Sequence, residues 1–91
     1  MVNGSVAWTR WGPVQVQVSI AGGRIADVGA LTYPSGNGHD TAINAYALSQ
    51  LRQAVLAAQS AEIDAVSGAT VTTDGYRESL QAALDAAHFN G

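Results

Sequence analysis

Val14, Val16, Val18 and Ile20 alternate with Gln15, Gln17 and Ser19. A period of two puts the apolar set on one face of a strand and the polar set on the other. One buried face and one wet face is the pattern of an antiparallel sheet. Gly22-Gly23 follows, and two glycines accept the positive φ values of a two-residue hairpin turn. The returning strand spans about Arg24 to Thr32. A two-residue turn sets Ile20 opposite Ile25. Strict alternation would then set Asp27 opposite Val18 on the buried face, which is costly for a carboxylate. Val28 is the better partner but is one residue out of phase. The pattern therefore predicts a β-bulge near Ala26-Asp27 that turns Asp27 outward, pairs Val28 with Val18, and then pairs Ala30 with Val16.

Upstream, Val2 to Arg10 is predicted as a first strand. Val6 and Trp8 set its alternation, Trp8 is expected in the core or at its edge, and Gly12-Pro13 is expected to end the strand. Tyr33 to Asp40 reads as a loop, because Pro34, Gly36 and Gly38 disfavour regular structure. His39-Asp40 has the form of a base with its orienting acid, but no nucleophile stands beside it. Asp40 or Thr41 is a candidate cap, with His39 in solvent. A helix is predicted from about Thr41 to Gln59. Its apolar stripe is Ile43, Ala47, Leu51, Val55 and Ala58, widened by Leu48 and Leu56, with a break conceivable near Ala47-Leu48-Ser49. Asn44 is open to two placements, against the loop around Thr70 or in solvent. Ser60 to Val66 allows a short strand with Ile63 and Val66 inward. A last helix is predicted from about Asp74 to Ala87, with Thr73 as N-cap and Tyr76, Leu80, Ala83, Leu84 and Ala87 buried. His88 suits a helix C-terminus, and Asn90 or Gly91 is the expected stop. The whole reads as α+β. A small antiparallel sheet of about three strands, with a Gly-Gly hairpin, packs against two or three helices in a single domain over 1–91.

Composition narrows the function. Only 12% of the 91 residues are charged, the net charge is −3, and the four basic residues are scattered arginines. No basic stripe exists for nucleic acid, and an anionic membrane surface would not attract the chain. The absence of cysteine excludes disulfides and thiolate metal sites. No apolar run is long enough to span a bilayer, so direct membrane insertion by this segment is not expected. No Gly-x-Gly-x-x-Gly unit joins a strand to a helix. No convincing catalytic triad or paired carboxylates stand out, so an independent enzyme is the less favoured reading.

The stretch with chemistry in it is Asp64-Ala65-Val66-Ser67-Gly68-Ala69-Thr70, running on through Thr72-Thr73-Asp74-Gly75-Tyr76. Small and hydroxyl residues lead into a helix start, where unsatisfied N–H groups and the helix dipole favour an anion. Thr70 is placed a few residues before that start. Asp64 suits an Asx turn that shapes the loop.

Asp64-x-x-Ser67-Gly68-Ala69-Thr70 resembles the flavinylation motif of the small FMN-binding domain family. That family includes the flavin-bearing subunits of sodium-pumping and related membrane redox complexes. The similarity extends through Gly12 to Val16, Gly23 to Val28, Ile43-Asn44 and Ala58 to Ser60. It implies FMN held by a phosphoester to Thr70, with Asp64, Ser67, Gly68, Ala69 and Thr72 around it. It implies maturation by a flavin transferase that needs magnesium and takes FMN from FAD. It also implies electron relay with partner proteins or quinones, on the extracytoplasmic face of a membrane through an anchor outside the given sequence. Trp11, beside Gly12-Pro13, is expected to pack at the core edge; flanking an isoalloxazine ring is its alternative. Two other functions stay open. One is an interaction or sensory module without flavin, favoured by Val71 where similar domains often carry an aromatic residue. The other is a reversible FMN site within a larger oxidoreductase.

Overall fold

The long hairpin of β3 (Gly12–Ala21) and β4 (Arg24–Thr32) carries the sheet. The structure, a computed structural model, describes residues 1–33, 38–66 and 68–89, with 38–43 as backbone. Gly22 and Gly23 turn the hairpin at φ 61° and 77°, a conformation that side-chain-bearing residues rarely adopt. Ile20 pairs with Ile25, Ser19 with Asp27, Val18 with Val28 and Val16 with Ala30. Ala26 is therefore the extra residue of the predicted bulge. Asp27 is turned out of the core, and one carboxylate oxygen accepts from Val28 N and from Arg52 Nε, each at 2.8 Å. The Val28 N–H and then the Arg52 guanidinium hold its pKa below the ordinary value. A second shift, unforeseen, falls between Val16↔Ala30 and Gln15↔Thr32, with Leu31 as the extra residue.

The first strand departs from expectation. It splits into β1 (Val2–Asn3), paired with β3 through Val2↔Val18, and β2 (Ala7–Thr9), paired through Ala7↔Val14. The sheet has four strands among the described residues, with β3 between β4 and the tandem β1 and β2. The phase of the alternation is also inverted. Ala7 is buried, whereas Trp8 is 77% exposed. The reason lies in the helix beneath. A Cβ on Gly75 would stand 2.7 Å from Thr9 Cγ2 and 3.1 Å from Val14 Cγ2. An approach that close admits Ala7 and Thr9 on the inner face but no indole. Gly12-Pro13 does not end the strand either; the two residues begin β3. Thr9 and Gly12 close a two-residue turn, so Trp8 and Pro13 form the next pair, which exchanges no backbone bonds. The ladder to β4 reaches only to Gln15, so the missing proline N–H costs no sheet bond.

Among the described residues, two helices cover the inner face. α1 (Gly38–Ala58) is unbroken and starts three residues earlier than predicted, inside the expected Tyr33–Asp40 loop. Residues 34–37 of that loop, and the side chains of His39, Asp40, Thr41 and Ile43, lie outside the described residues. Ala47, Leu51 and Val55 are fully buried as predicted, whereas Ala58 is exposed. The helix ends there, and Gln59 takes φ 55° and swings its side chain onto the edge of β4. Its amide accepts from Ile25 N at 2.7 Å and donates to Ile25 O at 3.1 Å, which closes part of an otherwise open sheet edge. Ser60 to Val66 forms no strand, although Ile63 is buried.

α2 (Thr70–Ala86) buries Tyr76, Leu80, Ala83 and Leu84 against Val14, Val16, Val18, Ile25 and Val28. It ends at His88, φ 55°, not at Asn90 or Gly91, which lie outside the described residues. His88 N donates to Asp85 O and Phe89 N to Leu84 O, and Phe89 packs on the core. These are the paired bonds and apolar contact of a Schellman stop, adopted without glycine.

Tyr76 is 1% exposed, and among the described residues its hydroxyl has no hydrogen-bond partner. Burial pushes its pKa from 10.0 to about 12, a rise that the nearby Arg52 charge opposes and Asp27 adds to. A raised value means that the folded state holds this proton more tightly than the unfolded chain. The linked stability is complete below pH 10 and is lost as the pH rises toward 12. Tyr76→Phe is expected to remove that alkaline loss. At neutral pH it should leave stability unchanged or raise it by about 1 kcal/mol, since an unpaired buried hydroxyl is removed. Urea unfolding at both pH values checks this; a clear loss at neutral pH would mean that the hydroxyl is bonded in solution.

Candidate functional site

The loop before α2 is shaped from both ends by one side chain. Thr73 is fully buried, and its hydroxyl donates to Ala69 O at 2.8 Å and accepts from Val66 N at 3.3 Å. Backbone bonds run beside it, from Ala69 N to Val66 O and from Thr73 N to Ala69 O, both at 2.9 Å. Gly68 sits at φ 83°, and a Cβ there would meet nothing within 4 Å. Thr73 is thus not the N-cap that its position suggested. A threonine hydroxyl can bond back to the carbonyl four residues earlier without breaking the helix. Here it does so, and the helix begins four residues sooner, with Ala69 as N-cap and Thr70 as its first residue.

That shift changes the electrostatics of the site. Ala69 offers no side-chain cap, and the first turn holds no acidic residue. In a helix that begins here, the N–H groups of Thr70, Val71 and Thr72 have no intrahelical acceptor. They and the dipole present partial positive charge beside the exposed Thr70 hydroxyl.

The predicted site residues fall into two groups. Gly68, Ala69 and Thr70 come together at the helix start, and Thr70 is open to solvent. Asp64 is exposed in the preceding loop, while Ser67 lies outside the described residues. Thr72 points inward: it is buried, and its hydroxyl donates to Asn44 Oδ1 at 3.0 Å. Asn44 is therefore packed against the first turn of α2, one of the two placements that its sequence context allowed. Sequence reasoning missed the structural role of Thr73. The repeated threonines were a signal, but their facing was settled only by the packing.

The family model for the FMN-binding domain matches residues 10–85, which is most of the chain. The chain belongs to the FMN-binding domain family. The comparison with curated proteins gives no match. The residues at this FMN-binding domain's helix start suit the phosphate end of the cofactor. Exposed Thr70, first-turn N–H groups that have no intrahelical acceptor, and open space over Gly68 give a phosphate both donors and room. FMN itself supplies the redox chemistry when bound, and the protein supplies position and charge.

Proposed function

We propose that this FMN-binding domain carries FMN as a phosphoester of Thr70 and relays electrons to or from partner proteins or quinones. The observation that carries the reading is the position of Thr70. It is the first residue of α2, exposed, beside donors that the helix itself cannot satisfy. The phosphodiester keeps a negative charge, and the dipole would stabilise it by about 0.3–1 kcal/mol. Thr73 and Gly68 shape the loop that leaves Thr70 exposed, where a maturing enzyme would reach it. A flavin transferase dependent on FAD and magnesium would make the bond: the Thr70 oxygen bonds to the FMN phosphorus of FAD, the pyrophosphate P–O bond breaks, AMP leaves, and the hydroxyl proton is released. Tethering keeps the flavin at high local concentration whatever its affinity, an advantage on the extracytoplasmic face of a membrane, where free flavin is dilute.

The test is intact mass after co-expression with a flavin transferase. An increment of one FMN less one water is expected, with yellow colour that stays on the chain after denaturation. An unmodified chain, in cells where a proven acceptor is modified, would sink the proposal. Colour released by denaturation would support reversible binding instead. Val71, where similar domains often carry an aromatic residue, favours a module without flavin, and such a module would show neither mass nor colour.

A further inference from the structure

We propose that two copies of this domain pair through the outer faces of their sheets. The inference goes beyond the flavin reading and does not rest on it. Both helices lie against the inner face, and no described element covers the outer one. Trp8, Gln15, Gln17, Ser19 and Gly29 stand on that outer face, because they alternate with buried neighbours such as Ala7, Val14, Val16, Val18 and Val28. Asn3 joins them, paired with Gln17. None of these residues is charged, whereas about 25–35% of a soluble domain's surface residues ordinarily are. Among the strand residues, Asp27 is the one acid at an outward position. Its carboxylate turns to the β4 edge, where Val28 N and Arg52 Nε hold it. The exposed charges of α2, at Asp74, Arg77, Glu78 and Asp85, lie on the other side of the sheet.

A second copy fits this face better than a charged partner does. A two-fold interface sets one patch against itself, so its groups must suit their own kind. A charged side chain fails that condition, and a carboxamide meets it, since it carries both donors and an acceptor. Gln15 Nε2 donates to Gly4 O at 3.0 Å and Gln17 Nε2 to Asn3 Oδ1 at 2.9 Å, which lays both side chains along the sheet. They are ordered before docking, so less entropy is lost on pairing. Trp8 protrudes from the same face and supplies an apolar anchor. Two sheets stacked face to face would cover about 480 Å² of each copy, from the ten residues of β3 and a width of three strands. Trp8 adds roughly 150–250 Å² per copy. The total of about 1,300 Å² reaches the low end of specific interfaces, about 1,200–2,000 Å². Thr70 begins α2 on the inner side, so the dimer leaves it open in both copies.

The experiment is sedimentation equilibrium of the chain from about 10 µM to about 1 mM, a range that suits an interface of modest area. The mass is expected to rise from one chain toward two. Gln17→Glu and Gln17→Lys each place like charges on the shared face, and each is expected to weaken pairing at least about tenfold at low salt. Gln53→Glu makes the same change of charge at an exposed position of α1 and is expected to pair like the wild type. Trp8→Ser removes the anchor without touching the ladder and is expected to weaken pairing too. All these side chains lie outside the core, and circular dichroism checks that each variant folds. A chain that stays monomeric throughout overturns the proposal and leaves the face to a different protein. Pairing that survives both Gln17 variants or Trp8→Ser overturns the outer face as the contact. So does a Gln53→Glu variant that pairs as weakly as Gln17→Glu.

Discussion

Gly4→Ala will lose about 3 kcal/mol or more of stability, at the upper end of what overpacking costs. A domain of 91 residues has about 5–14 kcal/mol in total. Gly4 is buried in the gap between β1 and β2, where α2 comes closest to the sheet. A Cβ there would fall on the Ser79 carbonyl oxygen, with Ser79 Oγ also in the way. Neither side can yield easily. Gly4 N donates to Val16 O at 2.7 Å, and Gly4 O accepts from Gln15 Nε2 at 3.0 Å. Ser79 Oγ satisfies Val16 N, the donor that an unbroken first strand would have used. Pushing the helix away would strand that buried N–H as well as open a gap in the core. Ser79→Ala will not rescue the variant, because the nearest obstacle is backbone. Urea unfolding reads the effect; a change within about 0.5 kcal/mol, the range of inert surface substitutions, would show that α2 is not held at this seam.

Thr70→Ala will carry no covalent flavin and will fold as the wild type does. Both halves follow from the position. The side chain is exposed on the first helical residue, and alanine is a favourable helix former, so stability should stay within about 0.5 kcal/mol. The N–H donors and the dipole survive the change, because they belong to the backbone. What disappears is the oxygen that the proposed ester needs. Intact mass after co-expression with the transferase should therefore show the bare chain, beside a modified wild type. Flavin still attached to the alanine variant would assign the ester to another hydroxyl. Exposure and position make Thr70 a better acceptor than Thr72 or Thr73, which are buried and bonded to Asn44 and to Ala69 and Val66.

What the sequence by itself determined is the part governed by short-range rules. Alternation at Val14 to Ile20, the Gly22-Gly23 turn and the misplaced Asp27 were enough to specify the hairpin, its register and its first bulge. A charge cannot share a face with Val18, and only one slip of the chain avoids that. The apolar stripe of α2, and the family motif ending at Thr70, were legible for similar reasons: each is a local pattern. Tertiary structure decided the rest. The second bulge at Leu31 has no charged residue to announce it. Trp8 looked like core because it is large, yet Gly75 brings α2 too close for an indole, and the inner face went to Ala7 and Thr9. The split of the first strand at Gly4 answers to Ser79, seventy-five positions away in the chain. The start of α2 moved from Asp74 to Thr70 because the Thr73 hydroxyl found Ala69 O and Val66 N in the folded loop. That last difference puts Thr70 on the helix dipole, and no propensity scale could have supplied it, since the deciding hydrogen bonds exist only after the chain has packed.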